Sequence, residues 1–440
     1  GKDALGVLTT GSYNNAFGVS ALAAATTQAA SNAFGHKALD VATDGQHNNA
    51  FGAEALGACT TGSYNCAFGG DALGALTTAS NNTAVGDDAG KAVVTGTGNT
   101  FMGANAGAAT TGSDSTAVGY NAMTANTTGI NVAMGIYALD ANTTGTSNTA
   151  LGINALGTNV AGDQSTAVGH EALATQNPSG NADMNNTAIG YRAGYVLSTA
   201  TNNNLFGAGA GDAITTGAQN VAIGNNALGA ATTTSGNIAI GNNTIDAGTD
   251  GVQNCIGIGS DALGALTASG GTTGTAPSIG IGYAALGAAT TGTANIAIGA
   301  WTMDAVVTGA NNIAMGNGAL GVLTSGASNI AIGSFAGDAL TTSSDNTLIG
   351  NNAGGAIDTG ASNTVMGSAA GDALTSGHNN VYVGVNAGGT ATTAGYNICI
   401  GDGAGNGGTT TGDYNIVMGN NGAGALTSGN NNVIIGQSAG

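Results

Sequence analysis

A short phrase, Asn-x-Ala-apolar-Gly, recurs along the whole chain, and its spacing constrains the fold more than any other feature. When the glycine of each phrase is taken as an anchor, 19 of the 25 intervals between successive anchors are 17 residues long. A fixed period of this length is typical of solenoids, in which each repeat is one coil that packs only against its neighbours. The sequence therefore predicts an all-β fibre: a parallel β-solenoid, or β-roll, of about 25 coils with a 17-residue repeat.

The residues before each anchor glycine alternate in size. Four residues before the anchor stands Asn in 20 of 25 coils, and directly before the anchor stands an apolar residue in every coil. Successive side chains of a strand point to opposite faces, so Asn, Ala and Gly share a small face and the apolar residue lies on a bulky one. We interpret the bulky line as the main hydrophobic seam, and the sequence leaves open whether it faces the coil interior or an interface between chains.

The rest of the repeat indicates how a coil closes. Ala stands three residues after the anchor in 23 of 26 coils and is usually followed by Leu or Gly. A second apolar position, seven residues after the anchor, precedes Thr-Thr-Gly or Thr-Ser-Gly, whose glycine supplies the positive φ of a tight turn. Each coil is thus predicted to contain one strand, a turn, a short second strand or helical turn, and a second turn.

The Asn residues of the repeat predict a structural ladder. Asn side chains stacked along a cross-β axis hydrogen-bond to each other and to the backbone of their own turns, which satisfies buried polar groups. The ladder residues are Asn14, Asn48, Asn65, Asn82, Asn99, Asn148, Asn220, Asn237, Asn295, Asn312, Asn329, Asn346, Asn363, Asn380, Asn397, Asn415 and Asn432.

One strand position divides the array into two halves. Three residues before the anchor, residues 1–210 carry Asn, Thr or Cys in 11 of 12 coils, whereas residues 211–440 carry Ile or Val in 11 of 13. Because a buried amide without a partner costs about 1–3 kcal/mol, we expect this line to be wetter in the first half. We interpret the chain as one continuous array with these two halves, and as an excerpt of a longer chain.

Composition limits the partners. Coils rich in Ala and Gly enclose few large side chains, and small cores seldom outweigh the entropy lost on ordering, so we expect several chains to share a core. A homotrimer is favoured over other homo-oligomers. The net charge of -19 disfavours nucleic acid and anionic lipid, and the longest apolar runs are too short to insert in a membrane.

Two coils are longer than the others and contain the only prolines. The interval from Gly169 to Gly190 is 21 residues and that from Gly259 to Gly282 is 23. Proline is excluded from regular stacked strands, so residues 176–185 and 269–278 are expected to loop away from the coils, as neutral bulges or as binding loops. The candidate binding residues are Gln176, Asn177, Pro178, Asn181, Asp183, Thr272, Thr273 and Pro277.

The residues that carry chemistry elsewhere form no site here. The four histidines are scattered at turns, the Gly-x-Gly strings come from the repeat, and the four cysteines have no metal-like spacing. A line of Asp five residues after the anchor seldom places two carboxylates in adjacent coils, which favours solvated turn residues over a calcium site. We expect no enzyme activity, no cofactor and no bound metal.

The strings Asn186-Thr-Ala-Ile-Gly-Tyr-Arg-Ala-Gly194 and Asn329-Ile-Ala-Ile-Gly333 resemble the repeats of trimeric phage tail fibres and of trimeric autotransporter adhesin heads. The resemblance covers the whole chain and implies a trimeric β-roll that presents binding loops or ends to a cell surface. Adhesin heads typically use shorter coils, so the cross-section and the chain contacts are expected to differ. No catalytic residue is carried over.

These observations predict a structural or adhesive fibre segment, located outside the cell or on a virion, that spaces or presents binding surfaces to a cell-surface glycan or receptor. Two alternatives are an ice-binding solenoid, suggested by the Thr-Thr line and the low charge, and a subunit of a self-assembling extracellular filament. Ice-binding faces need Thr at alternating strand positions, and the adjacent Thr residues before the turn glycine do not meet that requirement.

Overall fold

The computed structural model describes residues 1–247, 252–267, 277–407 and 412–440. These residues fold as an all-β parallel solenoid of about 24 coils with a repeat near 17 residues, and they contain no helix. The predicted all-β parallel β-solenoid with a 17-residue repeat is therefore confirmed. The chain divides into two units, Gly1–Ala218 and Gln219–Gly440.

The first unit contributes one short strand per coil and one additional strand pair. Its strands are β1 (Asn15–Phe17), β2 (Asn32–Phe34), β3 (Asn49–Phe51), β4 (Cys66–Phe68), β5 (Thr83–Val85), β6 (Thr100–Met102), β7 (Thr116–Val118), β8 (Val132–Met134), β9 (Thr149–Leu151), β10 (Gly162–Asp163), β11 (Thr166–Val168), β12 (Ala182–Asp183), β13 (Thr187–Ile189) and β14 (Asn204–Phe206).

The described part of the second unit repeats the same arrangement. Its strands are β15 (Val221–Ile223), β16 (Ile238–Ile240), β17 (Ile256–Ile258), β18 (Ile279–Ile281), β19 (Ile296–Ile298), β20 (Ile313–Met315), β21 (Ile330–Ile332), β22 (Thr347–Ile349), β23 (Thr364–Met366), β24 (Val381–Val383), β25 (Ile398–Ile400), β26 (Ile416–Met418) and β27 (Val433–Ile435).

Strands of successive coils pair in parallel, and equivalent residues of the repeat lie opposite each other. Ala33 of β2 lies opposite Ala50 of β3, and Ala314 of β20 lies opposite Ala331 of β21. The register continues across the long coil between β11 and β13, where Ala167 faces Ala188. The insertion therefore leaves the main stack of strands unchanged.

The anchor glycines allow the coils to stack closely. At Gly316 the backbone has a φ of +132°, and a Cβ added there would lie 2.5 Å from the carbonyl oxygen of Gly333 in the next coil. Gly333 stands in the same relation to Gly350. Any other side chain at this position would be strained in its own backbone and would overlap the neighbouring coil, which explains why glycine recurs here.

The middle residue of each strand points into the coil, and the residue directly before the anchor points out. Ala50, Ala67 and Ala331 are completely buried, whereas Phe34, Met102 and Ile332 on the bulky line are exposed by 37% or more. The apolar seam is therefore not the core of the coil. Its interior is built from the strand Ala, the Ala and Leu that follow the anchor, and the apolar residue of the second side.

The segment after the anchor is a turn. The sequence suggested a short second strand or a helical turn in the coil, and this segment forms neither. Two residues of this turn have the left-handed conformation in most coils, for example Glu54 at φ +58° and Leu56 at φ +52°. Such a conformation costs about 1–2 kcal/mol for a residue with a side chain. Hydrogen bonds to adjacent coils hold it in place, since Leu56 N donates to Ala72 O over 3.0 Å. Among the described residues, the one paired second strand is formed by β10 and β12.

Large and small residues complement each other inside the coil. Where the inward strand residue is large, as at Phe101, the turns of its own coil and of the preceding coil carry Gly107 and Gly90 in place of the usual Leu. A Cβ at Gly90 would lie 2.6 Å from the Phe101 ring. The same exchange occurs around Leu205, Leu348 and Tyr382. The interior volume of the coil is thus conserved although its residues vary.

Candidate binding surfaces

The Asn ladder lies inside the coils and is hydrogen-bonded on both sides. Asn329 N and Nδ2 donate to Asn312 Oδ1 over 3.0 and 3.1 Å, and Nδ2 also donates to Ser343 O over 2.9 Å. Its own Oδ1 accepts from Asn346 N and Nδ2. Ser278 retains part of this function, because Asn295 N donates to Ser278 Oγ over 3.3 Å. The ladder is a structural element, and its groups are not available to a ligand.

A second buried polar line appears in the first unit and was missed in the sequence. Thr110, Asn126, Asn142, Asn159 and Gln176 are all completely buried seven residues after their anchors, where most coils carry an apolar residue. Asn159 Nδ2 donates to Gly162 O over 2.9 Å, which closes the turn of its own coil. The common phase of these five residues was the signal that would have identified the line.

Gln176 belongs to this polar line, so its prediction as an exposed loop residue is wrong. Its Nε2 donates to Ser165 Oγ over 3.0 Å, and its Oε1 accepts from Asn186 Nδ2 over 3.0 Å. Gln176 therefore bridges the Asn ladder of two coils. A side chain with these partners has no contact with solvent and is not placed to bind a ligand.

The rest of the first insertion folds back onto the coils instead of leaving them. Asn177 and Asn181 are exposed, and their Oδ1 atoms accept from Val160 N over 3.4 Å and from Thr144 Oγ1 over 2.9 Å. Asp183 lies in β12 and accepts from Gln164 Nε2 over 2.8 Å, while Pro178 is half-buried. Met184, buried at the end of this segment, anchors it to the interior. The loop thus covers the coils, and side-chain oxygens of Asn177, Asn181 and Asp183 already accept hydrogen bonds from them.

The second insertion lies mostly outside the described residues. Thr272 and Thr273 belong to that part, so their predicted role stays a prediction. Pro277 is exposed, and the adjacent Ser278 is already buried in the Asn ladder.

A long apolar surface is the outer strand face of the second unit, formed by the first and third residues of β15 to β27. Apart from Thr347 and Thr364, every residue on it is Ile, Val or Met, and none is charged. Ile238, Ile332 and Met366 are 36–41% exposed. With coils about 4.8 Å apart and three residues of about 3.3 Å each, the face measures roughly 600 Å². A continuous apolar patch of this size is at the upper limit for a monomeric protein.

The outer strand face of the first unit is more polar. The first strand residues are Asn in β1 to β3, where Asn15 Nδ2 donates to Asn32 Oδ1 over 2.7 Å and Asn32 repeats the bond to Asn49. Beside them the rings of Phe34 and Phe51 stack with centroids 4.8 Å apart. In a single chain the first strand residues are partly exposed in both units. The single chain therefore does not show the wetter first half that the sequence predicted at this position.

The Asp line is less solvated than predicted. Partial burial raises the pKa of the carboxyl groups of Asp140, Asp246, Asp304, Asp338 and Asp372. Asp40 and Asp212, on the same line, are also only partly exposed. In the described part of the chain, no group of three His, Cys, Asp or Glu side chains is arranged to hold a metal ion.

The cysteines and histidines have local structural contacts. Burial raises the pKa of the Cys59 thiol to about 11 and that of Cys399 to about 12, which makes both poor nucleophiles. The His47 ring stacks on Tyr64 at 5.1 Å, and His378 packs edge-on against Tyr396 at 5.2 Å. These imidazoles contact aromatic rings in neighbouring coils.

None of the described residues forms a helix that is long and apolar enough to span a bilayer. No model of a known protein family matches the sequence, and no curated protein matches it.

Proposed function

We propose that this chain is a structural or adhesive segment of an extracellular or virion-surface fibre, that it performs no catalysis, and that it works as a homotrimer. The observation that supports the proposal is the outer strand face of the second unit. Its large side chains lie outside the coil, while the interior of the same coils is filled mainly by Ala and Leu. The bulkiest apolar line of the repeat is therefore left for a contact between chains.

The energetics favour burial of this face. Complete burial of one Ile, Val or Met side chain contributes about 1.5–3 kcal/mol, so removing the remaining third of two such side chains from water contributes about 1–2 kcal/mol per coil. The area of roughly 600 Å² approaches the 800 Å² that each partner of a standard interface buries. Another copy of the chain offers the same apolar side chains at the same spacing, because its coils have the same period. None of the residues on this face is acidic, so like charges on the face do not oppose this contact.

Sedimentation equilibrium of the full chain tests the proposal. Three chains of 41.3 kDa should sediment as a species of about 124 kDa. Replacing Ile298, Ile332 and Ile349 with Asp places three charges on the outer strand face and should dissociate or unfold the assembly.

The matched control places three Asp residues directly after anchor glycines, outside the outer strand face, and should keep the native mass. Its substitutions are Ser334→Asp, Asn351→Asp and Ser368→Asp. A stable wild-type monomer would contradict the proposal. A mass that grows with concentration without limit would favour the self-assembling filament.

Ice binding is a second candidate because of one feature of the first unit. Thr83, Thr100 and Thr116 stand at the outward first position of successive strands, in register, with Val or Met two residues later. The Thr-Thr line, in contrast, donates its hydroxyls to neighbouring coils, as in the 2.8 Å bond from Thr111 Oγ1 to Thr127 O. Thermal hysteresis of the purified chain, lost on Thr100→Lys, would favour this alternative.

A further inference from the structure

Three aromatic residues form an exposed cluster on the second unit. Tyr283, Trp301 and Phe335 follow their anchor glycines by one or two residues and are exposed by 51%, 52% and 44%. The rings of Tyr283 and Trp301 meet edge to face with centroids 5.6 Å apart. Phe335 lies across Gly318, where an added Cβ would be 2.9 Å from its ring. We call these three residues the aromatic cluster.

Packing within the chain does not explain why large rings occupy these positions. Trp301 and Phe335 have φ values of +52° and +55°, a left-handed conformation that costs a bulky residue about 1–2 kcal/mol. Other coils place Asn352 or Ala369 at the same position. About half of the surface of each residue remains in water, so burial recovers little of this cost. A strained and exposed aromatic residue indicates a function outside the fold.

The surroundings of the cluster are polar and carry no cation. Asn317 lies on the coil between Trp301 and Phe335, and its Nδ2 donates to Ala300 O over 3.3 Å. Ser334 Oγ donates to Asn317 O over 3.4 Å. The sequence from residue 219 to 440 contains neither Lys nor Arg, and the chain has a net charge of -19. An anionic ligand would therefore have no Lys or Arg to pair with here. The hydroxyl groups of a neutral ligand, in contrast, can hydrogen-bond to the amide and hydroxyl groups beside the cluster.

We propose that the aromatic cluster binds a neutral oligosaccharide. The face of an aromatic ring is electron-rich, and the C–H groups on one side of a pyranose ring present partial positive charge to it, while its hydroxyls bond to flanking amides. Trp301 and Phe335 are two coils apart, about 10 Å, so contact with both rings requires more than one sugar unit. The proposal rests on the proposed function in that it names a ligand class for an adhesive fibre.

Trp301 is the only tryptophan of the chain, so the tryptophan fluorescence reports binding at the aromatic cluster. The full chain is titrated with cellohexaose, maltohexaose and the hexamer of N-acetylglucosamine up to about 10 mM, a range that covers weak affinities. At least one of them should shift the Trp301 emission saturably. Phe335→Ala should weaken that binding by about tenfold or more, and isothermal titration calorimetry should show its loss in Trp301→Ala.

The variants are expected to fold, because Ala284 and Ala369 already occupy the position of Trp301 and Phe335 in other coils. Tyr64→Ala, which removes an exposed tyrosine of the first unit, is the matched control and should bind as the native chain does.

The inference would be overturned if none of the three sugars changed the Trp301 emission, or if Phe335→Ala bound the sugar with undiminished affinity. It would also be overturned if the emission changed only with protein concentration, because the change would then report a contact between chains. Sedimentation of the same samples separates the two proposals. A trimer that ignores all three sugars contradicts the saccharide site alone, and a monomer that binds one contradicts the trimeric fibre alone.

Discussion

Phe101 gives the sharpest test of how the coil interior is filled. Its ring is completely buried and occupies the space that Leu73 and its equivalents fill in other coils. Phe101→Ala removes the ring and leaves a cavity, so we expect a loss of about 3–5 kcal/mol of local stability.

The reciprocal change should also destabilise the coil. A Cβ at Gly107 would overlap the Phe101 ring, and Gly107 has a φ of +60°. Overpacking costs about 1–3 kcal/mol and the left-handed conformation about 1–2 kcal/mol, so Gly107→Leu should cost about 2–5 kcal/mol.

Combining the changes should restore the coil. Phe101→Ala with Gly90→Leu and Gly107→Leu recreates the arrangement seen at Ala67 and Leu73, where a small strand residue accompanies a large turn residue. We expect a favourable coupling of about 3 kcal/mol between the sites, the upper end of the range for residues in contact.

Hydrogen exchange of peptides from residues 83–119 measures this local stability, since a repeat array does not unfold as a single cooperative unit. Peptides from residues 32–68 are the internal reference. If the triple variant were no better protected than Phe101→Ala, the argument from conserved interior volume would be refuted.

Three further outcomes are expected. Asn329→Leu leaves the N–H of Asn346 and the carbonyl of Ser343 without their partner and should lower the local stability by about 2–5 kcal/mol. Asn329→Ser, which resembles Ser278, should lower it less. Equal losses of hydrogen-exchange protection in the two variants would contradict the structural role of the ladder. Gly333→Ala should abolish folding of its coils, because the Cβ meets the carbonyl of Gly350, and native hydrogen-exchange protection of peptides from residues 313–367 would exclude this reason. Burial raises the pKa of five Asp carboxyls above 3.8, so their stabilising contribution is complete below that pH and is lost as pH rises through the raised pKa values. The melting temperature should accordingly be higher near about pH 3.5 than at about pH 7, and the opposite order would show that other groups dominate.

The first insertion shows where reasoning from the sequence was incomplete. The extra length and Pro178 predicted a loop free of the stack, but Gln176, β12 and Met184 keep most of it attached. The position of Gln176, seven residues after its anchor glycine, was visible in the sequence. Its amide partners were not, because they come from Ser165 and Asn186 in two different coils.

The pairing of large strand residues with turn glycines was also open to detection. Ala followed by Leu or Gly was recognised after each anchor, but the choice between them depends on the inward strand residue of the same coil and of the next one. Such a dependence crosses coils, so a pattern confined to one repeat does not contain it.

The period by itself determined the stack. Identical coils hydrogen-bond best in register, so a constant spacing of 17 residues specifies parallel strands, aligned glycines and aligned Asn residues without further information. Alternation also determined which residues share a face, but it did not determine which face is inside.

Only the tertiary structure decided that question. The interior of most coils is already occupied by the Leu of the turn and by the apolar residue of the second side, so Ala takes the inner strand position there, and a larger strand residue is accommodated where the turn carries Gly. The large apolar side chains are consequently on the outside, where they are available to another chain.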